Sequence, residues 1–257
     1  MNNRRSNFFN EVAEIYDIAR PSYPPKLISD IIKLADLPKD GAILEVGTGT
    51  GQATIPFAEK GYYIHCLEPG NKLIAIASQK LRLYPKVTFE TVTFEDWNLC
   101  YHAFDLVISA QAFHWVNREI GYLKASQALK EKGHIAFFWN FSPKPDTPVF
   151  QALNEAFQKY IPSIVYNPPS IESLIQKREN WIIASKCFKN LKIKQYSWSI
   201  DYDTEQYLNL LKTQTAYQKF TEAQKQDLYN VVVQTLYKYG GYVTKPYLSV
   251  LFLAQKI

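Results

Sequence analysis

Apolar residues recur along this chain with two different periods, and the period changes at regular intervals. Residues 24–37 place Leu27, Ile28, Ile31, Ile32 and Leu34 on one face of a helix, with Pro24 and Pro25 at its start. Asp40-Gly41 marks a turn, and AILEV (42–46) is a short apolar run. A glycine-rich loop follows, then a helical stretch that ends at Gly61. YYIHCL (62–67), KVTFETV (86–92), FDLVISA (104–110) and GHIAFFW (133–139) read as further strands. Between them, 70–84 and 117–131 read as helices, the second closed by Lys130, Lys132 and Gly133.

Strands that alternate with helices need crossover connections, which give a mostly parallel sheet covered on both faces. The front of the chain therefore reads as a doubly wound α/β fold. The rhythm breaks after Trp139. SPKPDTPV (142–149) holds three prolines, and a second break falls at NPPS (167–170). The stretch 141–190 reads as an inserted helical cap. LKIKQYSWSI (191–200) then reads as a strand, 203–213 and 221–239 as helices, and YLSVLFLAQ (247–255) as a last strand. The expected division is a core over 1–140, the cap over 141–190 and a part completing the sheet over 191–257.

Composition narrows the class. The chain has 257 residues, of which 47% are hydrophobic and 21% charged, which excludes a disordered or collagenous chain. No apolar run approaches the roughly 18 residues of a membrane span. The N-terminus lacks a signal-peptide pattern, so a cytoplasmic setting is expected. The net charge of +5 is spread over scattered lysines, which disfavours a nucleic-acid face. Cys66, Cys100 and Cys187 are far apart and form no CxxC, and the four histidines form no HxxxH pair. No metal site is expected, and the thiols read as buried and reduced.

The strongest chemical signal is ILEVGTGTGQAT (43–54). Gly47, Gly49 and Gly51 follow a strand and precede a helix. Glycine permits positive φ and lets backbone amides approach a ligand. A dinucleotide fingerprint would need glycine at position 52, where this chain has Gln52. No Gly-Lys-Ser/Thr follows, so a phosphate-binding P-loop is absent too. Glu68 lies just past the second strand, in reach of the first loop, where a carboxylate can accept both hydroxyls of a ribose. In TFEDW (93–97), Phe94 could flank an adenine and Glu95 or Asp96 accept from its amino group; acidic residues are also common at helix starts.

These features, in order, resemble class I S-adenosylmethionine-dependent methyltransferases: EVGTGTG (45–51), Glu68, the acidic turn Phe94-Glu95-Asp96, and FDLVISAQAFHW (104–115). AEIYDIARPSYP (13–24) is similar to the lead-in of many small-molecule members. QAFHW (111–115) and TQTAYQKF (213–220) resemble the type 11, trans-aconitate-methyltransferase-like branch. The resemblance implies a seven-stranded, mostly parallel, Rossmann-like sheet with an antiparallel last strand. It implies S-adenosylmethionine as cofactor, S-adenosylhomocysteine as product, no metal, and a small-molecule methyl acceptor. Gly47, Thr48, Gly49 and Gln52 would line the methionine part. Glu68 would hold the ribose, and Pro69, Phe94 and Glu95 the adenine. Ser109, Ala110 and Gln111 would face the sulfonium, and Tyr16 and Arg20 would close over the cofactor. An arginine suits the cofactor carboxylate, although Arg20 could equally be a surface residue.

His114 could deprotonate an acceptor or could be a structural histidine beside Trp115; both readings stand at this point. Methyl transfer to a carboxylate needs no strong base, because alignment and desolvation can carry the rate. The branch hints at a carboxylate acceptor, for which Lys144, Lys159, Lys177 and Arg178 are candidate cations. Phe113, Trp115, Trp139, Phe141 and Tyr217 would suit an aromatic one. Two decoys are set aside. Asn167-Pro168-Pro169-Ser170 resembles the motif of amino-group nucleic-acid methyltransferases but lies in the expected cap, and no cysteine follows a proline as in the cytosine-C5 enzymes. The rival readings are a nucleic-acid methyltransferase, a non-catalytic S-adenosylmethionine-binding protein and, more remotely, a nicotinamide oxidoreductase. Oligomeric state is not legible.

Overall fold

Seven strands form one sheet in the order β3-β2-β1-β4-β5-β7-β6. The computed structural model describes residues 8–160 and 169–257. The N-terminal arginines Arg4 and Arg5, and Asn167-Pro168 of the rejected motif, lie outside the described residues. Two of the strands coincide with the apolar runs residue for residue, β1 (Ala42–Val46) and β4 (Phe104–Ala110). β2 (Tyr63–Leu67) and β3 (Val87–Glu90) sit within theirs. β5 (Leu129–Phe141), β6 (Phe188–Asp203) and β7 (Tyr242–Lys256) are longer than the runs that announced them. The pairings from β3 through β5 are parallel, and β7 is antiparallel to both β5 and β6.

The two faces of the sheet carry separate cores because strand side chains alternate. Ile43, Ile64, Leu106, Ile108, Ala136, Phe138 and Leu251 face α2 (Pro25–Leu34) and the short α3 (Thr54–Ala58). Leu44, Val46, Val107, Ile135, Phe137, Trp139 and Phe252 face the other side, against α5 (Arg118–Ala128). α4 (Asn71–Lys80) follows β2, and Leu81 just beyond it closes the first core. The helix expected over 117–131 stops at Ala128. Leu129 is extended, fully buried and paired with Phe104, so burial of one leucine in the sheet overrides the local helical pattern.

The stretch 141–190 is divided rather than being one cap. α7 (Ile171–Ala184), N-capped by Ser170, lays Leu174, Ile175 and Ile182 on the second core. It is a flanking helix of the doubly wound sheet. α6 (Pro148–Tyr160) packs Phe150 and Leu153 into a third core with α8 (Thr204–Lys212) and α9 (Glu222–Lys238).

That third core covers a two-stranded ribbon. β5 ends at Phe141 opposite Leu248, while β6 and β7 stay paired out to Asp203 and Tyr242. Pro246 lies in this overhang, where β7 has β6 alone as a neighbour, a setting in which a strand tolerates proline. The N-terminal helix α1 (Ala13–Ala19) lies between α8 and α4, tied to α4 by Lys80 and Asp17 at 2.6 Å. No helix among the described residues is long and apolar enough to cross a membrane. The three thiols are free, and of them Cys66 alone is buried; Cys100 is exposed and Cys187 half-buried, so the expectation of buried thiols fails for those two.

Candidate active site

The glycine loop is held in a shape that only glycine adopts cheaply. Gly47, Gly49 and Gly51 have φ of 77°, 60° and 89°. The amides of Gly47 and Thr48 both donate to the carbonyl of Leu67, which pins the loop to the end of β2. A Cβ on Gly47 would stand 2.3 Å from Cβ of Ala112, so the loop also needs the space.

Glu68 is buried beside this loop. Its Oε2 accepts from the amide of Gly49 at 3.0 Å and its Oε1 from the amide of Gly70 at 2.9 Å. Burial raises its carboxyl above the ordinary range, and the two amides oppose that. Glu45, fully buried beneath the loop, accepts from Thr54 at 2.6 Å, and its other oxygen has no hydrogen-bond partner among the described residues. Burial pushes its carboxyl up to about 7.

A cleft of about 140 Å³ lies against the loop and is lined in part by residues of β4, β5 and β7. Of the residues singled out from the sequence, Tyr16, Arg20, Gly47, Thr48, Gly49, Gln52, Ala110 and Gln111 line it. Nε2 of Gln52 is buried there with no hydrogen-bond partner among the described residues. Arg20 is not a free surface residue. Its Nε and Nη2 donate to the hydroxyl and carbonyl of Thr213 at 2.9 and 2.6 Å, and its guanidinium lies 5.2 Å from the Tyr16 ring. Gln111 has φ of 59°, an unusual value for a residue with a side chain, fixed by its amide donating to Phe138 and its Nε2 to the carbonyl of Asn140.

Other sequence-predicted residues stand elsewhere. Ser109 is fully buried and donates to the carbonyl of Val46, tying β4 to β1 rather than facing the cleft. Phe94 is buried in the second core, stacked on Trp97 and near Phe113. Glu95 accepts from the amide of Asn117 at 2.9 Å. Pro69 is half-buried at the end of β2. His114 does not line the cleft; its Nδ1 accepts from the indole N–H of Trp139 at 3.1 Å. An indole only donates, so this bond fixes the neutral ring with its proton on Nε2 and uses the lone pair a base would need. Of the four expected cations, Lys144, Lys159 and Lys177 lie outward, and Arg178 is buried against Trp139 and Phe141 rather than in the cleft.

Sequence reading missed the far wall. Asn140, Ser142, Leu210, Gln214, Lys245 and Tyr247 complete the cleft. Asn140 is set by a relay in which Trp198 donates to Ser249, Ser249 donates to Asn140, and Asn140 donates to the carbonyl of Ser22. Alternation along β7 buries Val243, Lys245, Tyr247 and Ser249 on one side, and a lysine among those inward positions was the available signal.

Residues 43–133, from β1 into β5, match a family described as a methyltransferase domain. Over that segment the chain is similar to a methyltransferase domain, and its fold is shared with solved methyltransferases. It is 32% identical over 152 residues to a Saccharomyces cerevisiae protein named Probable S-adenosylmethionine-dependent methyltransferase CRG1, covering 56% of this chain and 50% of that one. It is 27% identical over 132 residues to the Mycobacterium tuberculosis protein named Uncharacterized methyltransferase Rv3342, covering 51% of each. The chain thus spans about half the length of these relatives. Phosphoethanolamine N-methyltransferase 2 of Haemonchus contortus, solved with phosphomonomethylethanolamine and S-adenosylhomocysteine, shares the fold with a TM-score of 0.55 at 16% identity, over 98% of this chain and 58% of that one. These matches do not single out the trans-aconitate-methyltransferase-like branch.

Proposed function

We propose that this protein transfers the methyl group of S-adenosylmethionine to an oxygen or nitrogen of a small-molecule acceptor. The observation that carries the reading is the convergence on one cleft of the positive-φ glycine loop, the unpartnered amide of Gln52 and the guanidinium of Arg20. That set fits an amino-acid moiety joined to a nucleoside. Arg20 would take the carboxylate, Gln52 would line the methionine chain, and Glu68 would accept the ribose hydroxyls while its other lone pairs keep the amides of Gly49 and Gly70. The bound cofactor supplies a methyl group on a positively charged sulfur, open to attack by an acceptor lone pair.

The chain's own residues align the reactants and keep water out. Tyr16, Tyr23 and Tyr247 wall the cleft as neutral phenols, each held above its ordinary pKa by burial. Among the described residues that line it there is no Asp, Glu, His or Cys. Without a carboxylate or imidazole to take a proton, the cleft suits an acceptor that is already nucleophilic near neutral pH, such as a carboxylate oxygen, better than an alcohol.

The test is a transfer assay with methyl-labelled S-adenosylmethionine against a panel of small carboxylic acids, amines and RNA. Label in an organic-extractable, base-labile methyl ester is the expected result. Label in RNA alone would contradict the small-acceptor reading.

A further inference from the structure

Lys245 is nearly fully buried, yet among the described residues its partners are a hydroxyl and a ring and not a carboxylate. Its ammonium reaches the cleft from β7, donates to the hydroxyl of Ser142 at the end of β5, and lies 4.6 Å from the Tyr247 ring centre. Arg20, which lines the same cleft, likewise pairs with no carboxylate among the described residues. Burying a lone ammonium is costly, and a second positive charge nearby makes it costlier. Both effects hold Lys245 down to about 8, burial being the larger. Unpaired charges of this kind are retained where an anion completes them.

We propose that Lys245 is a specificity-determining residue that binds an anionic group of the methyl acceptor, remote from the atom that is methylated. This rests on the methyl-transfer reading above and deepens it. Arg20 and Lys245 line one cleft, close enough for the first charge to act on the second, but Lys245 stands on a strand well away from the glycine loop. The glycine loop leaves β1, whereas Lys245 sits on β7, with β4 and β5 between. Three inter-strand spacings amount to about 14 Å. Glu68, the expected ribose ligand, lies on the other side of β1, at the end of β2. With the ribose held by Glu68 and the methionine carboxylate by Arg20, Ala110 and Gln111 at the end of β4 would border the methyl-donor end, and Lys245 would be left for the acceptor. Ser142 and the hydroxyl of Tyr247, which is tied to Tyr202 at 2.9 Å, supply neutral donors beside the ammonium. The recognised group is an oxyanion, a carboxylate or a phosphate ester, which the test separates.

In the transfer itself the acceptor lone pair forms a bond to the methyl carbon as the carbon–sulfur bond breaks, and that electron pair stays on sulfur. Lys245 keeps its proton throughout.

The experiment compares wild type with Lys245→Met and Lys245→Arg, each saturated with S-adenosylhomocysteine. Calorimetry is run with three probes: succinate, methyl phosphate and uncharged succinamide. The expected result is that one of the two anions binds the wild type and succinamide does not. Lys245→Met should lose at least tenfold in affinity for that anion while its dissociation constant for S-adenosylhomocysteine stays within twofold. Lys245→Arg should restore anion binding, because arginine keeps the charge but cannot act as a base. Lys245→Met should melt at or above the wild-type temperature, since it removes a buried unpaired charge.

Equal binding of anions and succinamide, or none of any probe, overturns the proposal. So does a matching loss of S-adenosylhomocysteine affinity in Lys245→Met, which would assign the lysine to the cofactor carboxylate. Failure of Lys245→Arg to rescue would point instead to proton transfer. Failure of the wild type to bind S-adenosylhomocysteine at all would defeat the methyl-transfer reading itself, a distinct result.

Discussion

The carboxylate of Glu68 accepts the backbone amide of Gly49 at 3.0 Å, joining the end of β2 to the tip of the loop after β1. One side chain thereby shapes the glycine loop, and under the proposed function it would also hold the ribose. Glu68→Ala should weaken S-adenosylhomocysteine at least tenfold, about 1.4 kcal/mol. Glu68→Gln should fall between, because an amide keeps one acceptor oxygen where the carboxylate has two. Titration calorimetry reads both; equal affinity in all three proteins would remove Glu68 from the site.

Two glycines separate conformational need from spatial need. Gly47 and Gly61 both have positive φ, at 77° and 81°. A methyl group at Gly61 meets nothing within 4 Å, whereas at Gly47 it would overlap Ala112. Gly61→Ala should cost about 1 kcal/mol, the left-handed penalty alone. Gly47→Ala should cost roughly 2 kcal/mol more, as an overpacked site does. Urea denaturation of the pair measures the difference directly.

The two halves of that contrast also show what was readable in the sequence. The loop, β1, β4 and the parallel order followed from periodicity and glycine spacing, because each depends on residues close together in the chain. The far wall of the cleft did not. Lys245 and Tyr247 lie in a strand whose start was masked by Pro246, tolerated there because β5 has already ended. Phe94 and Ser109 were assigned to the cofactor from their position in the chain, but each is spent on the fold, one in the core and the other on the carbonyl of Val46. Nothing local in the sequence tells which way a strand-end side chain turns.

Buried Glu45 makes stability depend on pH. Its folded pKa of about 7 exceeds the ordinary 4.5, mainly through burial, with Glu68 adding to it and Thr54 and Cys66 opposing. Between those values the folded chain holds a proton that the unfolded chain has released. Stability contributed by the neutral form is therefore full below about 4.5 and is lost as pH rises through about 7. The loss is on the order of 3 kcal/mol. Glu45→Gln should flatten this slope in melting curves taken across that window. An unchanged slope would show that Glu45 titrates normally.

His114 and Trp139 form a tether between the turn after β4 and the end of β5. His114→Ala should destabilise by about 1–3 kcal/mol by leaving the indole N–H unpaired. Combined with Trp139→Phe, the cost should be less than additive. Turnover should drop by less than tenfold, whereas loss of a general base would cost a hundredfold or more. A drop of that size without a matching stability loss would return His114 to the catalytic role.

The central claim is that the cleft over the glycine loop binds an S-adenosyl ligand. It is tested most directly by melting the protein with S-adenosylhomocysteine, S-adenosylmethionine and NAD side by side. At 100 times its dissociation constant a ligand stabilises by about 2.7 kcal/mol. The account predicts that stabilisation from both adenosyl ligands, none from NAD, and its loss in Glu68→Ala. Stabilisation by NAD alone, or by none of the three, would contradict it.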